Sequence, residues 1–147
     1  MLFAKNINMK NILLILLVVL VNSCTNAQEP WKSSQLMEPS ALATRITENK
    51  APLIVCIGPT AIIPNSVFIG MASEEDNLGK LRTFLKGVPK DKEIVIYCGC
   101  CPFEHCPNVR PAFRLLNSLG FKNHKLLNLS NNIRTDWINK GYPIKQL

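Results

Sequence analysis

Residues 94–112 read IVIYCGCCPFEHCPNVRPA, an apolar run of four residues that stops on a cysteine and opens a loop. Ile94-Val95-Ile96-Tyr97 shows no alternation of polar and apolar side chains, so it suits a strand covered on both faces, as in a parallel sheet. The sixteen positions from Tyr97 to Ala112 hold four of the six cysteines (Cys98, Cys100, Cys101, Cys106), together with His105 and three prolines. Pro111 to Leu119 then has the character of a helix, with proline in its first turn and Gly120 just past its end. A cysteine at the carboxyl end of a buried strand and before a helix occupies the edge where open parallel sheets bind ligands. The helix N-terminus supplies free N–H groups and about half a positive charge. Such a place lowers a thiol pKa, and the thiolate is the nucleophile. Cys98 is therefore the expected reactive group.

Working outward, Leu53-Ile54-Val55-Cys56-Ile57 is a second buried strand and Val67-Phe68-Ile69 a shorter one. Lys125 to Leu129 is a fourth. Ser40 to Ile46 predicts a short helix with Ser40 as N-cap, and Leu78, Leu81 and Leu85 mark an amphipathic helix that Gly87 and Pro89 end. A last short helix is expected over Thr135 to Asn139. Strands alternating with helices over short connections predict an α/β domain with a mainly parallel central sheet flanked by helices. Cys56, Phe113 and Trp137 fit such a core better than a site.

The first residues read differently. Lys5 and Lys10 precede ten apolar residues, Ile12 to Val21, and then Asn22-Ser23-Cys24. Ten residues are too few to span a bilayer, which takes about 20 in a helix, but they suit the apolar part of an export signal. A cysteine directly after it resembles the lipobox of bacterial lipoproteins, in which the cysteine is lipidated and becomes the new N-terminus. The resulting expectation is a signal peptide over 1–23, a lipidated Cys24 with a polar tether over 24–35, and a domain over 36–147. That implies an exported lipoprotein, anchored to a membrane and facing the periplasm or cell exterior. The simpler alternative is cleavage after Ala27, which would discard Cys24.

The chain has a formal net charge of +7. The basic residues are scattered and not interleaved with aromatics, so a nucleic-acid partner is not expected. Gly79-Lys80 lacks the spacing of a phosphate loop.

From residue 36 onward the order of landmarks resembles a rhodanese-like domain. Ile94 to Cys98 matches the active-site strand and nucleophile of that family, Leu116 to Phe121 the end of the following helix, and Trp137 with Gly141-Tyr142-Pro143 the C-terminal signature. Ile63-Pro64-Asn65-Ser66-Val67-Phe68 sits where the family has Ile-Pro-Gly-Ala and an apolar pair. The resemblance implies a sulfurtransferase; a monomer without cofactor or metal is the separate expectation. Cys98 would take sulfane sulfur from a small donor, hold it as a persulfide and pass it to a thiol acceptor. It further implies that loop N–H groups cradle the persulfide, that Gly99 lets the backbone turn closely around it, and that Arg110 holds an anionic donor. The sequence departs from the family in three places. The loop is longer, Gly58-Pro59 replaces an acidic and basic pair after the first core strand, and Ile62 stands where a histidine is usual.

Three uses of the loop remain open on the residues alone. Cys100, Cys101 and Cys106 serve as resolving or relay thiols with His105 as proton carrier, in the manner of thiol–disulfide exchange. Alternatively, Cys98-x2-Cys101 with Cys106 and His105 binds Zn or Cu in a non-catalytic module. In the third, two disulfides staple the loop in one of three connectivities. A vicinal Cys100–Cys101 bridge is the least favourable, since bridged Cα atoms usually stand about 4.4–6.8 Å apart, and a Cys98–Cys106 bridge falls with it.

Overall fold

The computed structural model describes residues 29–146. The expected signal over 1–23, Cys24 and the first part of the tether lie outside them. Five parallel strands form one sheet: β1 (Leu36–Met37), β2 (Leu53–Cys56), β3 (Val67–Phe68), β4 (Ile94–Tyr97) and β5 (His124–Leu127), in the order β1-β5-β4-β2-β3. The helices are α1 (Pro39–Thr47), α2 (Glu75–Leu85), α3 (Val109–Ser118) and the single turn α4 (Ile133–Asp136). This is the α/β class with a parallel sheet that the buried runs predict. Among the described residues no helix is long and apolar enough to cross a membrane.

Two apolar layers account for the continuous runs. Ile94 and Ile96 meet Leu81 and Leu85 of α2 and Ala112, Phe113 and Leu116 of α3. Val95 and Tyr97 face the other way, toward Leu42 and Ala43 of α1, Leu127 and Trp137. Each buried aliphatic side chain contributes about 1.5–3 kcal/mol. A strand covered on both faces must be apolar at every position, and all four residues of β4 are buried.

The strand order places the site. From β2 the chain moves outward to β3, and from β4 it moves the opposite way to β5, so β2 and β4 flank the point where the order reverses. At such a point the connections leave in opposite directions and open a crevice at the carboxyl ends. Gly58 follows β2 there, and Cys98 follows β4.

The element boundaries differ from expectation in several places. Helix α1 starts at Pro39 and its N-cap position is Glu38, so Ser40 lies in the first turn and is not the cap. Helix α3 starts at Val109, which puts Arg110 on the helix instead of in the loop. The last helix begins at Ile133, where Asn132 Oδ1 accepts from Thr135 N–H at 2.9 Å, and Ile138–Lys140 continues as a 3-10 turn. The edge strand β1 had no counterpart in the sequence reading. Packing also extends upstream of residue 36: the Trp31 ring meets Phe103 and Phe113 edge-on, with centroids 5.9 and 5.8 Å away.

Candidate sulfur site

β4 carries Cys98 to the sheet edge, and Gly99 turns the chain with φ +86. A Cβ at Gly99 would stand 2.8 Å from Ile133 Cβ, so both conformation and space require glycine. This turn brings the side chain of Cys100 back beside Cys98. Their Sγ atoms are 3.1 Å apart, and Cys100 Sγ is 3.2 Å from that of Cys101 and 3.9 Å from that of Cys106. The sulfurs of Cys98, Cys100 and Cys106 all lie within 4.8 Å of one another. Cys98 is 5% exposed and Cys106 0%, whereas Cys100 is exposed. The loop is anchored at two more points, by Phe103 N–H to Leu129 O and Ile133 N–H to Gly99 O.

All five cysteines of the described residues are free thiols. The disulfide staples considered above are absent among them. The close partner of Cys98 is also not Cys101, as Cys-x2-Cys spacing suggested, but Cys100. His105 sits exposed on the 3-10 turn Phe103–His105, in a cleft with Trp31, Glu104 and Arg110, and is not gathered with the three sulfurs. Arg110 pairs with Glu29, and its guanidinium lies 5.6 Å from the Trp31 ring centroid. The group expected to hold an anionic donor is thus engaged on the N-terminal segment.

Asn108 is a residue of this cluster that the sequence did not single out. Its Oδ1 accepts from Ser73 N–H at 2.9 Å, which aims Nδ2 at Cys98 Sγ, 3.2 Å away, and at Cys106 Sγ, 3.9 Å away. An asparagine directly before a helix reads as an N-cap, yet this side chain makes no cap hydrogen bond. It is 2% exposed.

The thiols ionise in the reverse of the expected order. Cys106 is lowered to about 5, first by the neighbouring Cys98 thiol, whose sulfur lies within 4.8 Å, and also by the Asn108 backbone N–H. Cys98 is pushed up, first by the neighbouring Cys106 and then by burial. The Asn108 amide reaches both sulfurs. Cys101 is pushed up to about 12, chiefly by burial.

Two neighbouring features frame the site. A Cβ on Gly58 would stand 2.3 Å from the Cys98 carbonyl oxygen and 2.8 Å from its Sγ. No side chain fits at 58. Tyr97 OH accepts from Ile62 N–H at 3.1 Å and Ile63 N–H at 3.2 Å and bonds Ser66 Oγ, fixing the 62–66 turn to β4. Its pKa is raised to about 12, first by burial. Cys56, with its thiol against Thr60 O and its pKa raised by burial, is part of the core, as are Phe113 and Trp137. Compared with known proteins, the chain matches no family model and no curated protein.

Proposed function

We propose that the chain is a rhodanese-like sulfur-transfer domain in which Cys98 carries sulfane sulfur as a persulfide and Cys100 passes it outward. The observation that carries this reading is the 3.1 Å contact between the buried Cys98 sulfur and the exposed Cys100 sulfur at the carboxyl end of β4. The order of landmarks from Cys98 to Gly141-Tyr142-Pro143 supports it, as does Asn65. That residue stands where the resemblance expects glycine and has φ +57, a conformation asparagine tolerates.

In the first step the Cys98 thiolate attacks the outer sulfur of a donor such as thiosulfate; an S–S bond forms, the donor S–S bond breaks, and sulfite leaves with the bonding pair. In the second, the Cys100 thiolate attacks the terminal sulfur, giving a persulfide on Cys100 and a thiolate on Cys98. An external thiolate then removes the sulfur. No net oxidation occurs, and thiolates must form at each stage. The Asn108 amide and the Cys100 backbone N–H face the Cys98 sulfur and offset its charge. The Cys98 proton leaves to the buffer before attack.

The test is turnover of reduced protein with thiosulfate or polysulfide and a small thiol. Cys98→Ser abolishes transfer and Cys100→Ser slows it. Undiminished turnover in Cys98→Ser defeats the proposal. In the same reading Cys24 is acylated, with more than one chain because a single chain binds only marginally. Cys24→Ser then moves the protein from the membrane to the soluble fraction, and a soluble wild-type protein counts against the anchor.

A further inference from the structure

We propose that Cys98, Cys100 and Cys106 form a three-thiolate site for a soft monovalent metal ion, Cu(I). The geometry comes first. Three sulfurs at about 2.3 Å from a common centre stand about 4 Å apart. Here two of the separations are 3.1 and 3.9 Å, and all three lie within 4.8 Å.

The number and kind of donors select the ion. Cys101 touches Cys100 but falls outside the mutual set, and His105 is exposed on a separate cleft. A structural zinc site asks for four ligands in a tetrahedron. Three thiolates without nitrogen or oxygen suit a soft d10 ion that accepts trigonal coordination, and thiolates favour Cu(I).

The surroundings are built for it. Two of the three sulfurs are buried, and exposed Cys100 gives the ion a way in. Asn108 reaches two of the sulfurs through Nδ2 while Ser73 N–H fixes its other end, the kind of outer-shell contact that orients ligands. Cu(I) with three thiolates carries two negative charges, which the Asn108 amide and the N-terminus of α3 offset. The thiol protons leave to the buffer as the ion binds. Metal and sulfane sulfur compete for the same sulfurs, but the site stands on ligand geometry alone and survives failure of the transfer reading.

The full-length reduced chain is titrated anaerobically with Cu(I) against a chromophoric Cu(I) chelator, and the sulfur coordination of the product is read by X-ray absorption. One Cu(I) per chain with three sulfur donors is expected. Cys100→Ser, which changes an exposed side chain and leaves the fold intact, and Cys106→Ser each weaken binding by more than 100-fold. Asn108→Asp keeps the acceptor to Ser73, removes the amide donor, and weakens binding by about 10–100-fold. Cys24→Ser, Cys56→Ser and Cys101→Ser retain the wild-type affinity. Binding that survives Cys100→Ser and Cys106→Ser, a nitrogen or oxygen donor in the spectrum, or Zn(II) displacing Cu(I) overturns the proposal.

Discussion

Gly58 and Cys98 meet backbone to backbone across the ends of β2 and β4: a methyl group at 58 would fall 2.3 Å from the Cys98 carbonyl oxygen and 2.8 Å from its sulfur. Cys98 is held in place from the side by the absence of a side chain at 58. Gly58→Ala therefore pushes the 98–100 backbone aside. The expected cost is about 1–3 kcal/mol in denaturant unfolding, as for other overpacked sites, together with lost sulfur transfer. Wild-type stability and activity in this variant would mean that the two strand ends separate freely.

Access separates the thiols. Cys100 is exposed while Cys98 and Cys106 are buried, so a bulky maleimide at neutral pH labels Cys100 first in the reduced folded protein. Cys98 and Cys106 react at comparable rates only after unfolding. Peptide mapping after a short pulse reads the order, and early label on Cys106 would contradict it.

The Tyr97 hydroxyl accepts two backbone N–H groups, from Ile62 and Ile63. Tyr97→Phe strands both donors, one of them in a buried contact, and should cost about 1–3 kcal/mol. The change leaves the apolar ring in place, so the loss is measured by equilibrium unfolding against wild type.

Arg45 Nη1 and Nη2 reach the two oxygens of Glu93 at 2.7 and 2.6 Å, tying α1 to the start of β4. The hydrogen bond from Arg45 is the main cause that lowers the Glu93 pKa. A lowered folded-state value means that the stabilisation is fully present above the unfolded glutamate pKa of about 4.3 and is lost as pH falls through the folded value. The pair is partly exposed, so its worth is at most about 1 kcal/mol. Glu93→Gln should lower stability at pH 7 by that amount and leave it unchanged near pH 2. An equal deficit at both pH values would point to packing instead of charge.

Much of the fold was legible because its central strands are covered on both faces, so Leu53 to Ile57 and Ile94 to Tyr97 have to be apolar throughout. The two residues of β1 are too short to show any period, and Leu36-Met37 becomes a strand only by pairing with β5. The place of Cys98 at the carboxyl end of β4 could be read from the apolar run before it. The grouping of the sulfurs could not, because it depends on the positive φ of Gly99, which folds Cys100 back where spacing pointed to Cys101. The order of the thiol pKa values was hidden for the same reason: a helix N-terminus argues for a low pKa at Cys98, but a second buried thiol lies within 4.8 Å and is the one that is lowered. Asn108 was hidden by residue type, since asparagine before a helix ordinarily caps it. Arg110 drew a role from its position in the loop, and its pairing with Glu29 and Trp31 arises from a segment that reads as a tether.

Entry of sulfur on Cys98 is checked by locating the sulfur. Reduced Cys100→Ser protein, which lacks the outgoing thiol, is exposed to one equivalent of labelled sulfane sulfur, trapped with an alkylating agent and mapped by peptide mass spectrometry. A persulfide on Cys98 is expected, retained for longer than in wild type and absent from Cys98→Ser. Label on Cys101 or Cys106, or loading that persists in Cys98→Ser, would contradict it.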